Sequence, residues 1–114
     1  MEQSMNRIEL RGHVGQEPRI TEVGGNSVIN FTLATNEILK DRNGNVREVT
    51  TWHNIVAWAG KGMPFFEDIR KGSCVYLVGK VRNQKYKATD GTERHYNDVL
   101  ASRMVLESKD TSPQ

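Results

Sequence analysis

Two tryptophans on one stretch of alternating residues are the side chains best suited to chemistry. Trp52 and Trp58 lie six positions apart, with Asn54 and Val56 between them at the same parity. Alternate residues of a strand point to the same face, and Ile55 is the natural inward residue of the opposite parity. Exposed rings on a strand can stack on unpaired nucleobases, but aromatics also dominate subunit contacts. The pattern argues against a core position and leaves a base platform and a subunit interface open.

A second group of side chains places positive charge around another aromatic ring, Tyr86. Five cations lie between positions 80 and 94, against two acidic residues. A protein that binds single strands needs cations for the phosphates and rings for the bases, so we expect Tyr86 to stack and the cations to contact phosphates. The alternative is a charged hairpin that protects a sheet edge from aggregation. The five cations are Lys80, Arg82, Lys85, Lys87 and Arg94.

Catalytic chemistry finds little support in the sequence. The three histidines are far apart and lack metal-ligand spacing. Gly60-Lys61-Gly62 lacks the spacing of a phosphate-binding loop. Cys74 is the single cysteine, which excludes an intramolecular disulfide and is most simply a small apolar residue. We therefore expect no enzyme activity, no metal and no cofactor.

Length and composition indicate one globular domain. The chain has 114 residues, 36% hydrophobic and 26% charged, with a formal net charge of +2 and a mean hydropathy of −0.64. No apolar run reaches the roughly 18 residues that a membrane span requires, and the first residues lack the apolar core of a signal peptide. We expect a cytoplasmic, nucleoid-associated protein with no membrane partner.

The elements that must position these side chains are mainly strands, because the dominant period is two. Three strand regions, a short helix at Pro64–Lys71 and two further strands give the element order of an OB-fold. We therefore predict an all-β protein, a five-stranded Greek-key barrel with one short helix between strands 3 and 4; a small sandwich is the alternative. Residues 1–106 would form this domain and residues 107–114 a polar tail. The predicted strand segments are Arg7–Val14, Arg19–Val23, Ser27–Thr35, Val46–Ala59, Cys74–Lys87 and Arg94–Leu106.

Four segments in order resemble the bacterial single-stranded DNA-binding protein family: Gly12–Pro18, Phe31–Thr35, Thr51–Val56 and Arg70–Gly79. The resemblance covers nearly the whole chain, from Met5 to about Leu106. It implies an OB-fold that assembles into homotetramers and wraps single-stranded DNA in replication, recombination and repair.

The same resemblance implies roles for individual residues. The family's base-stacking positions match Trp52, Trp58 and Tyr86. A fourth family aromatic corresponds to Leu39, which can still pack apolar surface on a base. His53 is expected to support the subunit interface.

One family feature is missing from the sequence. Family members usually carry a flexible segment with an acidic, Phe-tipped end that recruits partner enzymes, whereas this sequence ends in Asp110-Thr-Ser-Pro-Gln114. We therefore do not expect partner recruitment by that route. Three other functions stay open: a tailless adaptor of the primosomal replication protein type, an RNA-binding OB domain, and an interaction protein whose tryptophans lie between subunits.

Overall fold

A computed structural model describes residues 3–107, and the regular secondary structure of these residues is almost entirely strand. A single 3₁₀ turn, Phe66–Asp68, lies between the fourth and fifth strands. Among the described residues, no helix has the length and apolar character needed to cross a membrane. The predicted tail from residue 108 onward lies outside the described residues. The strands are β1 (Ile8–Val14), β2 (Arg19–Val23), β3 (Asn26–Lys40), β4 (Val46–Trp58), β5 (Cys74–Lys87) and β6 (Glu93–Glu107).

Five of these strands close into a barrel, which confirms the predicted OB-fold. β1 pairs antiparallel with β5, β5 with β6, and β3 with β4. The ring is completed by a parallel pairing of β4 with β6 and by a short pairing of β1 with β3. The remaining strand, β2, lies outside the barrel and pairs with the first half of β3.

Gly12 allows β1 to pass from β5 to β3. A Cβ atom built at this position would lie 2.2 Å from the carbonyl oxygen of Ala34, far inside van der Waals contact. Only glycine lets the two backbones approach this closely. The next two residues of β1 then pair with Ala34 and Leu33 of β3.

The barrel interior is filled by the inward parity of each strand. On β3 the inward residues Ile29, Phe31 and Leu33 are all buried. On β4 the inward residues are Ile55 and Ala57, also buried. Because strand side chains alternate, this arrangement directs the intervening residues of β4 outward.

The predicted helix over Pro64–Lys71 is shorter than expected. Phe65 has extended backbone angles (φ −70°, ψ 126°), and so has Ile69 after the turn. The buried side chains here are Phe66 and Ile69, three residues apart, which suits the three residues per turn of a 3₁₀ helix. An α-helix as short as the predicted one is marginal in water. The single 3₁₀ turn still packs Phe66 and Ile69 against the barrel core.

The inward parity of β6 changes partway along the strand. Met104 is buried at one parity and Ala101 at the other. A register shift opposite Val78 and Gly79 leaves Ser102 as an extra residue of β6, and such a bulge reverses which residues of the bulged strand face inward. Beyond the shift, the β5–β6 hairpin pairs regularly up to Lys87 and Glu93.

Candidate nucleic-acid interface

The two tryptophans lie on the outward face of β4, as their parity predicts. Trp52 is 59% exposed and Trp58 42% exposed, while Ile55 and Ala57 between them are buried. Large aromatic rings left this open on a strand cost hydrophobic burial. The rings are therefore available to a ligand or partner and are not part of the barrel core.

Trp52 is seated directly on the backbone of Gly15. The amide of Gly15 donates a hydrogen bond to the Thr32 carbonyl oxygen, 2.9 Å away, which fixes this backbone beside β3. A Cβ atom at Gly15 would lie 2.3 Å from Cζ3 of the indole and 2.8 Å from Oγ1 of Thr32. The absence of a side chain at Gly15 therefore sets the height and tilt of the ring.

The third predicted ring, Tyr86, lies on the β5–β6 hairpin together with a ring that the sequence reasoning missed. Tyr86 is 49% exposed and Tyr96 45% exposed. Their centroids are 5.9 Å apart with an interplanar angle of 60°, an edge-to-face arrangement that aromatic pairs favour. Tyr96 pairs with Gln84 and Tyr86 with Arg94, so both rings share one face. The available signal was that strand parity places Tyr96 on the face of Arg94.

The predicted cations divide between the two faces of this hairpin. Lys80, Arg82 and Arg94 share the Tyr86 face, because their cross-strand pairing is regular. Lys85 and Lys87 have the opposite parity, so the structure does not bring them beside the Tyr86 ring. All three lysines are exposed.

Arg82 differs from the other four cations, because its guanidinium is held by a buried carboxylate. Its Nε and one terminal nitrogen each donate to an oxygen of Asp98 at 3.0 Å, and Asp98 is 4% exposed. A bidentate pair of this kind balances both charges. Arg94 makes only a 3.7 Å contact with Asp90, between exposed side chains. A phosphate contact by Arg82 stays a prediction, and the geometry gives this residue a structural partner.

A groove runs between the β4 face and the β5–β6 hairpin; we call it the central groove. Its volume is about 560 Å³, and it lies over β3, β4 and the loop that follows β1. Amides, two arginines, two carboxylates and a phenol line it, so it offers hydrogen-bond donors and acceptors close to the exposed rings. The lining includes Gln16, Arg19, Asn30, Asn54, Val56 and Tyr96.

Leu39 lies away from the central groove. It is 40% exposed near the tip of the β3–β4 hairpin, opposite Arg47, and lines a hollow of about 350 Å³ with Lys40 and Arg47. By strand alternation Leu39 has the parity of the inward residue Leu33, not of the residues paired with Trp52. The structure therefore does not place Leu39 beside the β4 rings, and its stacking role stays a prediction.

His53 is half-buried on β4 and faces Leu33 of β3. Its Nε2 lies 3.1 Å from the Thr35 hydroxyl oxygen. Burial lowers the pKa of the His53 imidazole below its ordinary value of 6.5, so the neutral form is favoured at physiological pH. Its predicted role at a subunit interface stays a prediction. Within residues 3–107, no three His, Cys, Asp or Glu side chains form a group that could hold a metal ion.

The sequence matches the Single-strand binding protein family over residues 5–106. This chain belongs to that family. Curated relatives named single-stranded DNA-binding protein include one from Neisseria meningitidis serogroup A, 37% identical over 104 residues, covering 90% of this chain. The chain spans 60% of the length of that Neisseria protein. The single-stranded DNA-binding protein 1 of Chlorobaculum tepidum is 35% identical over 114 residues, covering 97% of this chain and 70% of the relative.

Solved structures of similar proteins share the barrel. The Plasmodium falciparum SSB, in a complex with ssDNA, matches with a TM-score of 0.81 and 31% identity, covering 95% of this chain and 99% of that one. A mutant single-stranded DNA-binding protein from Thermus aquaticus matches with a TM-score of 0.74 at 20% identity, covering 91% of this chain and 51% of that one. The Thermus match supports the fold alone.

Proposed function

We propose that this chain binds single-stranded DNA largely independently of sequence and protects it during replication, recombination and repair. The observation that carries the proposal is the exposure of Trp52 and Trp58 on one strand face whose alternate residues are buried. Membership of the Single-strand binding protein family and similarity to an SSB in a complex with ssDNA support it. The protein acts by binding and is not an enzyme.

Bases stack on Trp52, Trp58 and Tyr86 while nearby cations meet the phosphates. Each stacked base contributes roughly 1–3 kcal/mol, and stacking tolerates any base because every base has a π-face. Duplex DNA hides those faces, so double strands are excluded. Each phosphate contact makes the log–log dependence of affinity on salt steeper by about 0.7.

We further infer a homotetramer in the cytoplasm, associated with the nucleoid. Several copies would multiply the cationic surface of a chain whose own net charge is only +2. The outward side of β1, β5 and β6 carries Val105, 39% exposed, and the adjoining loop carries Phe65, 78% exposed. These apolar side chains, with the half-buried His53, support an interface between copies.

The test is a fluorescence titration with poly-dT at two salt concentrations, with light scattering recorded in parallel. We expect tryptophan quenching, a mass of four chains and a salt-dependent affinity. Trp52→Ala should weaken binding by about 5- to 150-fold, the equivalent of 1–3 kcal/mol. The matched control is Val23→Ala, an exposed apolar side chain at the end of β2 and outside the central groove, which should bind like wild type.

Three results would point to other functions. A dimeric mass would favour an adaptor, and tighter binding of RNA than of DNA would favour an RNA-binding domain. Quenching that responds to dilution and not to oligonucleotide would place the tryptophans between subunits.

A further inference from the structure

A second hollow opens beyond Trp58, and we call it the Trp58 hollow. Its volume is about 680 Å³, and it shares no lining residue with the central groove. Its walls come from the segment before β1, the loop after β4, and the middle of β5 and β6. The lining includes Arg7, Trp58, Lys61, Met63, Lys80 and Leu100.

The charged side chains that line the Trp58 hollow are all cations. Arg7, Lys61 and Lys80 are all exposed, and no carboxylate lines the hollow. Its floor is apolar, with Val78 and Ala101 buried. An apolar floor beside an indole, rimmed by three cations, suits a flat apolar group that carries an anion. A nucleotide has that composition.

The walls of the hollow are held by hydrogen bonds within the protein. The Asn6 side chain donates to the Val81 carbonyl oxygen at 2.8 Å and accepts from the Val81 amide at 3.0 Å. This pair fixes the segment before β1 against β5. On the other side, the Met104 amide donates to the Gly62 carbonyl oxygen at 3.0 Å, which fixes the loop after β4 against β6. The hollow therefore exists before a ligand arrives.

The Trp58 hollow continues the face that carries the stacking rings. Leu100 pairs with Val56 of β4 on one side and with Lys80 of β5 on the other. Val56 lines the central groove, while Leu100 and Lys80 line the hollow. A strand stacked on Trp58 can therefore pass directly from one depression into the next.

We propose that the Trp58 hollow is a further nucleotide subsite for the same single strand of DNA. The base that follows the one stacked on Trp58 lies over Leu100 and Ala101, and its flanking phosphates face Arg7 and Lys61. This inference rests on the proposed function, because it extends the path of the bound strand. It makes the segment before β1 part of the binding surface.

The test compares wild type with the double variant Arg7→Ala/Lys61→Ala, which leaves all three predicted rings in place. Two lost phosphate contacts should reduce the log–log salt slope by about 1.4. Between 50 and 200 mM salt, the affinity of wild type for oligo-dT should therefore fall about sevenfold more than that of the variant. The matched control is Lys71→Ala, an exposed lysine outside both depressions, which should keep the wild-type slope. Circular dichroism and thermal unfolding verify that each variant is folded.

The outcomes separate this inference from the function on which it rests. If the double variant keeps the wild-type slope while Trp52→Ala still weakens binding, the subsite is refuted and the proposed function stands. If wild type itself fails to bind oligo-dT, the proposed function fails.

A titration of Trp52→Ala with dTMP tests whether the hollow is instead a site for free nucleotides. In this variant Trp58 is the only tryptophan, so its fluorescence reports on the hollow. We expect little quenching by dTMP at concentrations where oligo-dT saturates. Quenching by dTMP at matching concentrations would overturn the inference in favour of a site for free nucleotides.

Discussion

The substitution Gly15→Ala, which adds one methyl group, tests whether the close contact of the Trp52 ring with the Gly15 backbone controls DNA binding. The new Cβ atom would lie 2.3 Å from Cζ3 of the indole, more than an ångström short of the 3.4 Å at which ordinary contact begins. The Oγ1 of Thr32, at 2.8 Å from the same Cβ, adds to the crowding, so the ring must move away. A displaced ring keeps part of its stacking, so we expect a loss of about 1–2 kcal/mol, roughly 5- to 30-fold in Kd.

The assay is a double-mutant cycle with oligo-dT, measured by fluorescence anisotropy of a labelled oligonucleotide. Gly15→Ala should weaken binding in the wild-type background and have little effect when Trp52 is already alanine, because the two changes act on one ring. The free energy of unfolding should change by less than about 1 kcal/mol, since the ring is mostly exposed and alanine is compatible with a strand. An equal loss of affinity in both backgrounds would refute the reasoning.

Two further predictions concern stability. Arg82→Ala leaves the Asp98 carboxylate buried without its partner, so urea denaturation should show that the free energy of unfolding falls by about 3 kcal/mol. Adding Asp98→Asn to this variant should recover part of that loss. Unchanged stability together with a reduced salt slope of DNA binding would instead make Arg82 a phosphate ligand. His53 has a pKa below 6.5 in the folded state because of burial, so the unfolded chain takes up the proton first. Its contribution is complete above pH 6.5 and is lost as the pH falls through 6.5 towards the folded pKa. His53→Gln should reduce this decline, measured by urea denaturation between pH 8 and 5.5, and an undiminished decline would assign it to other groups.

The alternation of the central strands was readable because apolar residues fill the inward positions near the middle of each strand, with polar residues such as Asn30 and Asn54 between them. Ile29 and Leu33 on β3, and Ile55 on β4, determine which faces are buried, and the exposure of Trp52 follows from the same period. Local composition carries this information without reference to the rest of the chain.

Features that depend on pairing between distant strands were not readable. The register shift at Ser102 reverses the inward parity of β6, so that both Met104 and Ala101 are buried. The ion pair of Arg82 with Asp98 requires knowledge of the hairpin register across sixteen residues. The contact of Gly15 with Trp52 joins residues from β4 and the end of β1. Sequence periodicity gives the face of a residue but not its neighbour on another strand.

The two weakest joints of the barrel have a mechanical consequence. β4 meets β6 only through Ile55 with Val99 and Val56 with Leu100, and β1 meets β3 only through His13 with Ala34 and Val14 with Leu33. Such short seams are where local opening starts, while long hairpins move as units. A DNA strand laid from the β4 rings to Tyr96 spans the β4–β6 seam. A bound strand would then hold the two sides of this seam together, so the barrel should open locally less often with DNA bound than without it.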